Sequence, residues 1–336
     1  MLKISFPDSG ETEALKNQRR PIDAVIPSTA SVPTTIRTLS HSTQGPGRKP
    51  ATFGGWDVQI ELAPSYTGNV RFGTKDAPLK SLHVDDANTR LHHISLTDVL
   101  GKELKVVEHI LAIVWASRIA FDMRFYGTTT APTLADCIQG YVDRIFWENL
   151  RNTPWVVQYV TVEKPVLFQR GQAYMLIEPM NERNPQLTLD TSVDYPTPRM
   201  AQRVIADASD ELLEGIAGAR TPAYGLRSLL LRLNENPLVR NTLWRRFRQF
   251  STNNVMSHDK TGIHNPNPEF HFQSDSSGEI VNWELAYHEL IDRFWSLALL
   301  HPYHLLGRVT SHRTWHAFDV AAMKWLKSNR FLKSIS

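Results

Sequence analysis

The chain has 336 residues, 41% hydrophobic and 21% charged, a globular composition too long for one small core, so two domains of roughly 150 residues are expected. The formal charge of +3 suits an anionic substrate or a membrane surface and selects neither. One cysteine, Cys137, excludes an intrachain disulfide and a cysteine-ligated structural zinc, and no run approaches the length of a membrane-spanning helix.

Residues 1–33 mix charge, Ser/Thr and Pro, with Asp8, Glu11 and Glu13 among them, and read as a flexible extension without the apolar core of a secretory signal. Strand-like alternation then runs over 34–42, and a Gly/Pro/basic turn fills 44–55. Strands are expected at 56–62, 71–72 and 82–84, a buried helix at 106–119 and a strand at 121–126. Ile138, Tyr141, Val142, Ile145 and Phe146 share one face of a helix over 135–150, which ends at Asn152-Thr153-Pro154.

The second half repeats this outline. Strands are expected at 156–162, 165–169, 173–178 and 186–194, then helices at 206–216 and 226–233 and a short strand at 253–257. A polar turn region covers 259–277. An amphipathic helix follows at 283–300, then a strand at 307–310 and a closing helix at 314–328. Strands first and helices second, twice over, predict an α+β protein of two similar domains, 34–152 and 153–336, each a mostly antiparallel sheet packed with helices.

Four places carry chemistry. His288 and Asp292 are four residues apart, on one helical face, so both can reach a single metal ion; a surface hydrogen bond between them is the plainer reading. Glu108-His109 opens an apolar helix, where an unpaired buried carboxylate costs several kcal/mol and a neighbouring metal would offset that; a helix-terminal acid beside a capped histidine is the alternative. His316 begins the last helix, as a proton donor or as an ordinary half-buried histidine. Two imidazoles, a carboxylate, a spare glutamate and a spare imidazole are the components of a zinc hydrolase. His92-His93 and the pair His301 and His304 are rival ligands without a carboxylate at suitable spacing. Basic residues are dispersed, which argues against nucleic acid.

Taken in order, several segments resemble the zinc-dependent UDP-3-O-acyl-N-acetylglucosamine deacetylases of lipid A synthesis. They are Ile36-Arg37-Thr38-Leu39, Asn88-Thr89-Arg90-Leu91, Val107-Glu108-His109-Ile110, Ala219-Arg220-Thr221 with Tyr224-Gly225, residues 284–292, and Gly307-Arg308-Val309-Thr310 with His316-Ala317. The resemblance implies zinc, with iron(II) as the alternative ion, held by His109, His288 and Asp292. It implies Glu108 as general base, Thr221 as a hydrogen-bond donor to the oxyanion and His316 as the acid for the departing amine. It places the active site between the two domains. The implied setting is a cytoplasmic monomer, close to a membrane surface, acting on an acylated UDP-amino sugar.

Several residues depart from that pattern. Glu289 replaces a lysine near the expected diphosphate, and Ser296 replaces an aspartate that orients the catalytic histidine. Ala135-Asp136-Cys137, Pro222 and His92-His93 differ as well. Residues 226–248 match an insert that forms an acyl tunnel, with Leu229, Leu230, Leu231 and Leu233 as its lining or as an ordinary core helix. Arg245, Arg246 and Arg248 would meet a diphosphate or simply face solvent. These departures leave two other expectations open: a deacetylase for a different acylated sugar, and a non-catalytic homologue that keeps the metal.

Overall fold

A computed structural model of the chain describes residues 1–5, 24–26, 51–55, 58–65, 69–90, 93–117, 121–127, 129–131, 138–145, 158–183, 185–197, 200–225, 228–229, 255–273 and 279–335. The expected strand at 34–42, most of the helix at 226–233, the arginine cluster at 245–248, Cys137 and His92 lie outside these residues. The architecture is α+β, with mixed sheets and few helices. The described helices are α1 (Glu108–Ser117), α2 (Gln139–Ile145), α3 (Asp210–Ile216), α4 (Glu284–Ala298) and α5 (His316–Ser328).

A five-stranded sheet comes from the first half, in the order Ala51–Gly55, Val58–Pro64, Phe121–Gly127, Arg71–Thr74, Lys80–Ser81. Its period-2 pattern is plain in Phe121–Gly127, where Phe121, Met123 and Phe125 are buried and the residues between them are not. The turn expected at 44–55 gives way to the first of these strands. The strand expected at 82–84 is instead the approach to a 3-10 turn, Val84–Asp86, capped by His83, whose ring accepts from the Asp85 amide at 3.3 Å. A three-stranded meander, Ala87–Arg90, His93–Thr97 and Glu103–Lys105, was not foreseen from the sequence.

The larger sheet has seven strands, in the order Leu2–Ser5, Val166–Arg170, Ala173–Glu178, Gly307–His312, Leu187–Asp194, Ala201–Asp207, Ala24–Ile26. Half of its pairings are parallel, which corrects the expectation of mostly antiparallel sheets. The reason lies in the chain path. α4 intervenes between Leu187–Asp194 and Gly307–His312, and such a crossover returns the second strand parallel to the first. Two segments of the extension expected to be flexible are the edge strands of this sheet, and Ala201–Asp207 precedes a helix that begins only at Asp210, capped by Ser209 to the Leu212 amide at 3.0 Å.

One buried apolar cluster runs from Ile60 to Leu326 and takes in residues of both halves of the chain. α1 lies along α4 at its centre, where Trp115 meets Phe294 edge-on at 4.8 Å between ring centroids. Each fully buried Leu, Ile or Phe there contributes roughly 1.5–3 kcal/mol.

Gly307, where the central strand starts, has φ +132, and a Cβ there would overlap the Glu178 carbonyl oxygen. Gly307→Ala is expected to cost on the order of 3 kcal/mol, because both the backbone and the neighbouring strand must shift. Urea unfolding reads it; a parental midpoint would contradict the assignment.

Candidate active site

α4 has the spacing of an amphipathic helix. All fifteen of its residues are nevertheless buried. Its polar groups meet other elements, as buried ionisable groups must. Glu284 takes Arg220 in a two-pronged ion pair at 2.6 and 3.0 Å and also accepts the Arg220 amide at 3.1 Å. This clamp brings the segment 219–221 against the start of α4. One turn further on, the His288 Nδ1 donates to the Ala219 carbonyl at 3.0 Å. A carbonyl can only accept, so Nδ1 carries a hydrogen and Nε2 points the other way. That Nε2 lies 3.8 Å from Asp292 Oδ1. Thr221 stands two residues beyond the anchoring carbonyl, at the head of the strand Thr221–Tyr224.

α1 enters from the other half. Lys105 is held on both sides by residues 129–131, and the chain then turns at Val106, a β-branched residue at φ +61. Such a conformation costs on the order of 1–3 kcal/mol and persists only where the surroundings impose it. It aims the first turn of α1 at α4. Glu108 Oε2 accepts the Ile94 amide at 3.0 Å. Burial pushes the Glu108 carboxyl up to about 8, against the pull of its backbone hydrogen bonds and with added repulsion from Asp292. His109 is driven down to about 3 by burial and by the neighbouring His288, with Asp292 opposing, so its ring is neutral. The His109 and His288 rings meet edge to face, 6.3 Å apart and at 89°.

α5 brings the third imidazole. His316 is its first residue, and its ring packs on Trp295 at 5.0 Å. Trp295 Nε1 donates to Asp292 Oδ1 at 2.9 Å. Burial works against the Asp292 charge, but His316, His288, Arg293 and the Trp295 N–H outweigh it and hold the carboxyl below its usual value. α5 is fastened to α4 by Arg293 and Asp319, both wholly buried and joined at 2.6 and 3.0 Å. Burial pushes Asp319 up to about 6 in spite of that guanidinium.

Two of the departures from the expected pattern take on a physical meaning here. Glu289 is 8% exposed and lies 3.7 Å from Arg293 of the same helix; burial and the neighbouring Asp292 push its carboxyl up to about 8 in spite of that guanidinium. Ser296 Oγ donates to its own helix, to the Arg293 carbonyl at 2.9 Å. Two of the rival histidines have structural partners: His301 Nε2 accepts the Val70 amide at 3.1 Å, and His304 stacks on Trp115 at 4.4 Å. A cavity of about 460 Å³ lies between the meander and α5, lined among others by Asn88, Thr89, Glu103, Ala317 and Lys324; none of Glu108, His109, His288 and Asp292 lines it.

Sequence reading missed Val106, Arg293, Trp295 and Asp319. Arg293, a charge set between Asp292 and Phe294 in an apolar run, was the one visible signal.

An α+β scaffold that buries imidazoles beside one carboxyl held low and one pushed high has the composition of an acid–base site. Residues 37–328 match the family model LpxC, UDP-3-O-acyl N-acetylglycosamine deacetylase, and the chain belongs to that family. The family comprises metal-dependent deacetylases of lipid A synthesis. No curated protein matches the chain.

The donors present suit a divalent ion of nitrogen and oxygen preference. His109 is neutral, His288 offers Nε2 with its tautomer fixed by a backbone carbonyl, and Asp292 stays ionised. Metal–nitrogen bonds of about 2.1 Å put two ring centroids on one ion roughly 5–6 Å apart, so 6.3 Å is slightly open. Among the described residues no three His, Cys, Asp or Glu side chains close into a metal-binding group.

Proposed function

We propose that this chain is a zinc-dependent N-deacetylase of UDP-3-O-acyl-N-acetylglucosamine, working in the cytoplasm, with His109, His288 and Asp292 as the metal ligands. The approach of His109, from the first half of the chain, to His288, from the second, supports this most directly. A divalent ion held by those ligands would supply a Lewis acid for the amide carbonyl and for the attacking water.

The protein groups do the rest. Glu108, next to His109, takes a proton from the attacking water. Its raised proton affinity suits a base that must hold that proton, and a cation beside it favours the ionised form needed at the start. Thr221 donates its hydroxyl hydrogen to the tetrahedral oxyanion. His316 gives a proton to the leaving nitrogen, so the amine departs neutral and acetate is the second product. The division of the chain at 152/153, with the site between its parts, belongs to this reading.

The self-contained pairing of Ser296, which leaves His316 without the family's aspartate at that position, favours a second substrate reading: another acylated N-acetyl sugar. Metal analysis together with acetate release, before and after chelation, tests the proposal. One zinc per chain is expected, with acetate release lost on chelation and restored by zinc. Zinc-loaded protein that releases no acetate from the UDP-sugar would overturn it, and release from a simpler N-acetyl sugar would favour the second substrate.

A further inference from the structure

We propose that Trp295 is a positioning residue that orients Asp292 and His316 together; this rests on the functional reading above. Trp295 is wholly buried on α4, one turn after Asp292. Its indole N–H donates to Asp292 Oδ1 at 2.9 Å, the same oxygen that lies 3.8 Å from His288 Nε2. Its ring packs on His316 at 5.0 Å and 50°. One rigid side chain thus touches a carboxylate on α4 and an imidazole on α5.

The pairing is selective. Trp115 and Trp283 are buried as well, and their indole N–H groups have no hydrogen-bond partner among the described residues. Ser296, the next residue, turns its hydroxyl back onto the Arg293 carbonyl and orients nothing across the site. An indole is a donor only, with two side-chain torsions, and once packed it fixes the direction of the carboxylate it touches. The Arg293–Asp319 pair at 2.6 Å holds α5 against α4, so the distance from the indole to His316 is fixed as well.

Two variants separate the two contacts. Trp295→Phe keeps an aromatic ring and deletes the N–H, and Trp295→Leu deletes both. Zinc affinity, read by competition with a chromogenic chelator, is expected to fall by about 10-fold or more in both, the usual effect of losing a partner that orients a metal ligand. At saturating zinc, kcat is expected to fall further in Trp295→Leu than in Trp295→Phe with KM little changed, because the ring that steadies His316 is gone. Incorporation of 3-benzothienylalanine at 295, which keeps the bicyclic shape and lacks only the donor, guards against a packing artefact and is expected to reproduce the loss of zinc affinity. Parental zinc affinity and kcat in Trp295→Phe and in the benzothienyl protein would overturn the positioning role while leaving the deacetylase reading intact. If the parent protein neither binds zinc nor releases acetate, the deacetylase reading falls and the positioning role with it.

Discussion

Glu108→Gln is expected to lower acetate release by at least about 10²-fold at full zinc occupancy, because the amide cannot take the proton of the attacking water. The substitution is nearly isosteric, and its carbonyl oxygen still accepts the Ile94 amide, which the carboxylate now holds at 3.0 Å. The fold should therefore survive, and the loss should fall on kcat. Full turnover in this variant, with its zinc retained, would remove Glu108 as the base.

The same substitution has a consequence for stability. In metal-free protein the Glu108 carboxyl titrates near 8, above its ordinary 4.5, because of burial. A folded pKa above the unfolded one gives stability that is fully present below about pH 4.5 and is lost as pH rises through about 8. Unfolding of the metal-free parent should show that decline between the two values, and Glu108→Gln should flatten part of it. An identical pH dependence in parent and variant would contradict the assignment.

Arg293→Met is expected to cost about 3–5 kcal/mol, the usual penalty for stranding a buried charge. Arg293 and Asp319 are both 0% exposed, and the guanidinium also faces Glu289. Removing it leaves those carboxyls without compensation in a site from which water is excluded. The double variant Arg293→Met/Asp319→Leu should recover most of the loss, since an apolar pair of similar volume often matches a buried ion pair. A double-mutant cycle in urea isolates the pairwise energy. A loss of under about 1 kcal/mol in the single variant would place the pair among weak surface contacts. Acetate release by the double variant adds a second readout: α5 carries His316, so an intact fold with reduced turnover would mean that this pair also sets the position of that imidazole.

Much of the local structure was legible in advance. The helices around Glu108-His109 and His288–Asp292 follow from apolar spacing, and several of the longer strands, Phe121–Gly127 and Leu187–Asp194 among them, stand where they are expected. Pairing was not legible. Leu187–Asp194 reads as a strand, but nothing in its pattern says that its parallel neighbour is Gly307–His312, more than a hundred residues away. The meander at 87–105 also escaped notice, because short polar strands such as Ala87–Arg90 carry little alternation. The burial of α4 is hidden for a different reason: its apolar spacing is that of an amphipathic helix, and the partners of its polar groups, Arg220, Asp319 and the Ala219 carbonyl, lie outside its own segment.

The sequence by itself determined which residues carry protons and lone pairs, that His288 and Asp292 share one helical face, and that Glu108 and His109 open a buried helix, because these are matters of residue type and a period of 3.6. Tertiary packing alone lays the two helices against each other, turns His288 Nε2 toward Asp292, and lets Trp295 and Arg293 reach from α4 to His316 and Asp319 of α5. Proton affinities and ring orientations depend on burial and on partners, and both are created by contacts between segments far apart along the chain.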